Sequence, residues 1–270
     1  MSIRNVRLPG PRILVTTDLG DETYDGEIRP MLEVFARHRV PLTLFSPNRS
    51  FSGDENREII FETIAFAKEN RIPVEIASHS IDHGDLSHCS SDRVVLKVEE
   101  SLKAFEKWGI RVHGFRAPYL GIESIYGDVL NRISGEGVSL VYDSSTCFES
   151  NLITSLFHVV ARKKSPHRIG SVWELPISCL DDYHLLIRQN RGERFVYLYW
   201  VAEMRLWIRS LNYFMILLHP DIMISHLKLL DRFLACCRRR FPPEAFCTCQ
   251  RVVNDLEVFN RPGVMAGNEV

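Results

Sequence analysis

The sequence predicts an α/β fold built on a parallel sheet. Two observations carry that expectation. Short apolar, β-branched runs alternate along the chain with amphipathic stretches of helical period. Five of the predicted strands also end in a reactive polar side chain: Asp18, His79, Arg116, Asp143 and His219. Parallel α/β folds place their sites at the carboxyl ends of strands, so one face is expected to collect all five.

Arg12 to Thr17 is a β-branched apolar run that ends in acidic and glycine residues, and it reads as a buried strand. Glu27 to His38 carries Ile28, Met31, Leu32 and Phe35 at helical spacing, with Pro30 near its start. Pro41 to Ser46 is the next strand. Asn56 to Asn70 is a helix with Ile59, Ile60, Thr63, Ile64, Phe66 and Ala67 on one face. Pro73 to Ser78 is a third strand, which leads into His79. Ser91 to Trp108 is helical, with Val94, Val95, Val98, Leu102 and Phe105 turned inward. Strands follow at Val112 to Arg116, Leu140 to Asp143 and Val172 to Pro176, with a helix over Glu123 to Ser134. Tyr199 to Ser210 reads as helix, Tyr213 to Leu218 as a strand ending at His219, and Ile224 to Arg239 as a long helix.

The 270 residues suit one domain with a sizeable core, taken as 1–259, and 260–270 reads as a flexible tail containing Gly, Pro and Asn. A formal net charge of −1 gives no global signal for nucleic acid. Arg162-Lys163-Lys164 and Arg238-Arg239-Arg240 read as solvated surface. Seven cysteines, an odd number without Cys-x-x-Cys spacing, point to buried reduced thiols, although Cys236-Cys237 and Cys247-x-Cys249 are clustered. The first twelve residues lack the apolar segment of a secretory signal, and the expected location is cytoplasmic. Phe195 to Leu218 is apolar but interrupted by Glu203, Arg205 and Arg209, which argues against a spanning helix. Its aromatic residues Tyr197, Tyr199, Trp200, Trp207 and Tyr213 read first as core. A peripheral contact with a membrane surface or lipid carrier is the other reading.

Four elements carry chemistry. His79 and His83 lie four apart, and both imidazoles reach one ion if a helical turn follows the strand. Imidazole suits late first-row divalent metals, and His88 nearby competes as a ligand. Asp18 closes the first strand within the acidic run Asp18-Leu19-Gly20-Asp21-Glu22. That run is either a solvated turn or a cluster compensated by a cation, with Asp18 a base for metal-bound water. In Arg116-Ala117-Pro118-Tyr119, the arginine can fix a carboxylate. Pro118 sets its own backbone angle, which leaves the Tyr119 amide to serve as an oxyanion donor. In Leu217-Leu218-His219-Pro220, the imidazole is placed to deliver a proton. Taken singly, the last two also fit a plain turn and a structural histidine.

In this order, at strand ends, the elements resemble the NodB-like polysaccharide deacetylases, carbohydrate esterase family 4. The resemblance runs from about Ile13 to Phe259. It implies a distorted (β/α) barrel of about seven parallel strands. It also implies a divalent metal, zinc first, held by two His and one Asp. Carried over by position, His79 and His83 match metal ligands and Asp18 the catalytic base. Arg116 matches the residue that orients that base, Tyr119 the oxyanion amide and His219 the general acid. Trp173-Glu174-Leu175-Pro176 resembles the strand before the acetyl-pocket segment, and Leu217 or Leu218 is expected to line that pocket.

The first motif departs from the family's Thr-Phe-Asp-Asp-Gly. Here it is Thr16-Thr17-Asp18-Leu19-Gly20-Asp21, so the metal carboxylate falls on Leu19 or Gly20, which cannot bind. Either Asp21 completes the site, or Asp18 binds the metal and another group is the base, or two His and water hold it. The resemblance implies hydrolysis of an N-acetyl or N-formyl group from a small or carrier-linked amino sugar, on a nucleotide or lipid. Hydrolysis of a ureide or cyclic imide is an alternative, and a degenerate binding domain is another. Oligomeric state is not legible.

Overall fold

The computed structural model describes residues 8–20, 25–49, 56–121, 126–135, 140–147 and 165–259. Asp21 and the predicted tail 260–270 lie outside them, as does Arg162-Lys163-Lys164. The described strands are β1 (Arg12–Asp18), β2 (Leu42–Ser46), β3 (Val74–Ser78), β4 (Gly114–Phe115), β5 (Tyr142–Asp143), β6 (His167–Ile169), β7 (Val172–Glu174) and β8 (Tyr213–Leu218). Helices α1 (Asp25–His38), α2 (Arg57–Asn70), α3 (Ser91–Lys107), α4 (Tyr126–Gly135), α5 (Glu193–Leu211), α6 (Leu227–Arg240) and α7 (Cys249–Phe259) complete the chain, with short helical turns between them.

One sheet runs in the order β6-β7-β5-β4-β3-β2-β1-β8. Every pairing is parallel except β6 with β7. The seven parallel strands match the predicted number, and β6 is an added hairpin arm. The sheet curls until the segment after β7 meets β8. There the Ser178 amide donates to the Met215 carbonyl at 2.9 Å, and the Tyr213 hydroxyl donates to the Pro176 carbonyl at 2.9 Å. That contact closes the distorted barrel without a regular eighth ladder.

The central strands are apolar because both faces are covered. β8 is buried along its whole length, and β1 is buried from Ile13 onward. Thr16 and Thr17 are tolerated there because their hydroxyls donate to the carbonyls of Ile216 and Leu218, each at 3.0 Å. Arg71 ends α2 in the left-handed conformation, and Ser90 caps α3 by accepting from the Arg93 amide. α7, which the sequence pattern did not show, closes the barrel floor. The Gln250 amide at its start donates to Glu75 Oε2 at 2.9 Å, and the Tyr142 hydroxyl donates to Glu75 Oε1 at 2.6 Å. Burial raises the Glu75 carboxyl, opposed by these hydrogen bonds.

Gly114 sits on this floor network. A Cβ there would lie 1.9 Å from Tyr142 Cζ, and Tyr142 is pinned by Glu75. Gly114→Ala is therefore expected to destabilise the fold by about 1–3 kcal/mol through overpacking. Urea denaturation measures it, and an unchanged midpoint would show that Tyr142 has room to move.

Several boundaries differ from the sequence reading. β4 and β5 are two residues each, because irregular backbone takes over on either side. α5 starts at Glu193, six residues before the predicted Tyr199. The aromatic stretch is interior: Trp200, Trp207 and Tyr213 are buried, and Phe195, Tyr197 and Tyr199 pack partly against the core. Trp200 and Trp207 face the core from α5, with Trp200 packed on Phe233 of α6 and Trp207 on Tyr213 of β8. Among the described residues, no helix is long and apolar enough to cross a membrane. The cysteines form no disulfide among the described residues, and Cys236, Cys237, Cys247 and Cys249 are buried.

Candidate active site

The carboxyl ends of β1, β3, β4 and β8 bring together Asp18, His79, His83, Arg116, Tyr119 and His219. The register carries this. Thr17 pairs with Leu218 and Ser78 with Phe115, so Asp18 and His219, and His79 and Arg116, follow on neighbouring strands.

Arg116 is the hub and is fully buried. Its Nη1 donates to Asp18 Oδ1 at 2.6 Å and to Thr16 Oγ1 at 3.0 Å. Its Nε donates to the Ser144 carbonyl at 3.0 Å and its Nη2 to Ser144 Oγ at 2.9 Å. The guanidinium also lies 3.9 Å from the centre of the Phe45 ring. A buried arginine needs this many acceptors to offset lost hydration. One oxygen of Asp18 is thereby held, while Oδ2 faces His79 Nε2 at 3.6 Å.

His79 Nδ1 lies 2.8 Å from the Arg116 carbonyl. A carbonyl can only accept, so Nδ1 carries the proton and Nε2 keeps its lone pair. Burial lowers the His79 pKa to about 3, so the ring is neutral, as a metal ligand must be. The His79 and His83 rings lie 4.9 Å apart, centre to centre. They do not meet on a helical turn, as their spacing suggested. Ser80 at φ 72° and His83 at φ 52° fold the segment back through left-handed backbone. The separation of Asp18 Oδ2 and His79 Nε2 exceeds a hydrogen bond and is close to the roughly 3.4 Å between two donors on one zinc ion. This donor set fits a divalent cation. Among the described residues, however, no three His, Cys, Asp or Glu side chains form a complete shell. Leu19, one of the two positions on which the resemblance puts the metal carboxylate, is buried in the core and donates its amide to the Phe45 carbonyl at 2.9 Å.

Tyr119 sits at φ 56° in a short turn after Pro118, with its side chain largely exposed and its ring 5.1 Å from that of His83. His219 is held by a residue the sequence reading missed. Asp182 Oδ1 is 2.6 Å from His219 Nδ1, and Asp182 Oδ2 accepts the His219 amide at 2.8 Å. Burial works against the imidazolium, but the Asp182 charge and hydrogen bond, with Asp18 beyond, outweigh it and raise the His219 pKa to about 10. Asp181-Asp182 is the only sequence signal for this pairing, because 37 residues separate the partners. Asp143 accepts from the Ser145 amide and hydroxyl at 2.7 and 2.9 Å. Burial, against those bonds and Arg116, raises it to about 7. Of the two candidate pocket leucines, Leu217 shares the inward face with Met215, whose sulfur touches Arg116 at 3.4 Å. Leu218 falls on the opposite face.

The curled parallel barrel gathers carboxylate, imidazole and guanidinium groups at its strand ends, the face where such folds place their sites. Residues 5–137 match the polysaccharide deacetylase family model. Its members are amide hydrolases and carbohydrate deacetylases. No curated protein sequence matches the chain. Among solved structures, a putative polysaccharide deacetylase from Mycobacterium smegmatis is similar over 100% of both chains, at 16% identity and a TM-score of 0.69. A probable polysaccharide deacetylase from Pseudomonas aeruginosa is similar over 93% of this chain and 92% of that one, at 15% identity and a TM-score of 0.63. An allantoinase is similar over 93% of each, also at 15% identity and 0.63. At these identities the likeness is one of fold.

Proposed function

We propose that this protein is a metal-dependent hydrolase that removes an N-acyl group, acetyl or formyl, from a sugar or sugar conjugate. The observation that carries the reading is the chain of contacts from Arg116 to Asp18 to His79, with the His219–Asp182 pair beside it. In this reading the arrangement offers a base, donors for an ion and an acid at the same end of the sheet.

His79 and His83 would hold the ion, with Asp21 as third ligand. Bound there, a divalent ion supplies Lewis acidity to the carbonyl and to water. Asp18, oriented by Arg116, takes a proton from the attacking water. The Tyr119 backbone N–H donates to the oxyanion as the carbonyl becomes tetrahedral. His219 then gives its proton to the leaving amine, and Asp182 stabilises the charged ring until it does. The products are a free amine and a carboxylic acid.

The allantoinase of like fold motivates a second reading, hydrolysis of a ureide or cyclic imide. A panel of N-acetyl and N-formyl sugars against ureides separates the two. Metal analysis tests the site. Wild-type protein is expected to hold close to one equivalent, lost together with turnover in His79→Ala/His83→Ala. Asp21→Asn is expected to lose metal, whereas Asp18→Asn keeps metal and loses turnover. Undiminished hydrolysis by the metal-free double variant would overturn the proposal, and metal lost only from Asp18→Asn would exchange the two carboxylate roles.

A further inference from the structure

A second imidazole–carboxylate pair lies beside His219. Asp181 Oδ1 accepts the His184 amide at 2.7 Å and faces His184 Nδ1 at 2.8 Å. The consecutive acids Asp181 and Asp182 thus grip one histidine each. Tyr183 stands between them, its ring 6.4 Å from that of His219 and 5.9 Å from that of His184. The segment Tyr183–Arg188 is a π-helical turn, a backbone form concentrated at functional sites. Tyr183 remains partly exposed, although its neighbours Leu185 and Leu186 are buried.

The charges beyond Tyr183 have one sign. The Arg188 guanidinium lies 5.6 Å from the centre of the Tyr183 ring. The Arg191 amide donates to the Leu185 carbonyl at 2.8 Å, which folds the loop back onto the same turn. Arg194 follows on the first turn of α5. All three arginines are exposed, and none forms an ion pair among the described residues. Glu193, the acid among them, lies 2.8 Å from His226. Asp181 and Asp182 face His184 and His219, and the Arg188 guanidinium adds positive charge beside Tyr183. The Asp181 hydrogen bond raises the His184 pKa and favours its cationic form.

We propose that Tyr183, His184 and Arg188 form a subsite for a phosphate group on the amine-bearing half of the substrate. This rests on the hydrolase reading above. His219 protonates the leaving amine there, so whatever lies past His219 meets the substituent carried by that amine. A ring face at Tyr183 receives a sugar ring. A histidine held by Asp181 and a planar arginine fork receive an oxyanion one ring further out. The substrate class is therefore a phosphorylated N-acyl amino sugar, either a simple sugar phosphate or a nucleotide-linked sugar.

Binding tests this without turnover. Isothermal titration of the metal-loaded protein would compare glucosamine with glucosamine 1-phosphate and with the uridine-diphosphate-linked amino sugar. The phosphorylated amines are expected to bind at least about tenfold tighter than glucosamine. Arg188→Ala and His184→Gln are each expected to erase most of that preference. A further gain for the nucleotide-linked sugar marks it as the source of the phosphate, and equal affinity for the two marks the simple sugar phosphate. Equal affinity for glucosamine and its phosphate would overturn the subsite, as would a preference unchanged in both variants. Hydrolysis of the N-acetyl forms, measured in parallel, reports separately on the hydrolase reading. Loss of all turnover with the phosphate preference intact would sink that reading and leave the subsite standing.

Discussion

Replacing His219 with Ala is expected to lower kcat by about 10²- to 10⁴-fold, the range that general acid catalysis contributes, with the fold and bound metal retained. The amine is a poor leaving group until it is protonated, and the proposed function makes His219 its proton donor. Asp182 sets the pH range in which it can act. His219 must be protonated to function, so activity falls as pH rises through its pKa of about 10. Asp182→Asn removes the charge and the ionic hydrogen bond that raise that value. Burial then dominates, and the alkaline limb of the kcat profile should fall to the ordinary histidine range or below. Stability follows the same sign. The pair contributes fully below the unfolded histidine pKa, near 6.5, and its contribution is lost as pH rises through the folded value. Asp182→Asn should therefore cost more stability at pH 6 than at pH 10. An unmoved alkaline limb in that variant would show that another group is the acid.

Arg116→Ala carries the largest expected effect on stability, about 3–5 kcal/mol, because it leaves Asp18 charged, buried and unpaired. It also strips the Ser144 and Thr16 oxygens of their donor and leaves the Phe45 ring without its cover. Arg116→Lys restores a charge but not the planar fork that reaches four oxygen acceptors at once, so it recovers only part of the loss. A double-variant cycle separates these contributions. Asp18→Asn in the Arg116→Ala background should be less damaging than Asp18→Asn alone. Urea midpoints measure all four proteins, and strict additivity would show that the 2.6 Å contact contributes nothing.

The sequence alone determined the alternation of strands and helices and the collection of Asp18, His79, Arg116, Asp143 and His219 at strand ends. Both follow from local rules. Burial on two faces makes a parallel strand apolar, and the residue after such a run is where the chain leaves the core. Periodicity also located most helices, because a helix with one buried face writes its period into the chain. What only the tertiary structure decided is which side chain acts on which. Arg116 meets Asp18 across 98 residues, and Asp182 meets His219 across 37. Neither pairing has a local signature, since charge partners are chosen by the curl of the sheet and not by spacing. The same holds for α7, whose start is fixed to the barrel floor by Glu75 and Thr43. His79 and His83 show the boundary most clearly. Their spacing of four suggested a helical turn, and the chain brings them together through left-handed backbone at Ser80 and His83 instead. Spacing named the residues, and the packing around Arg116 set their geometry.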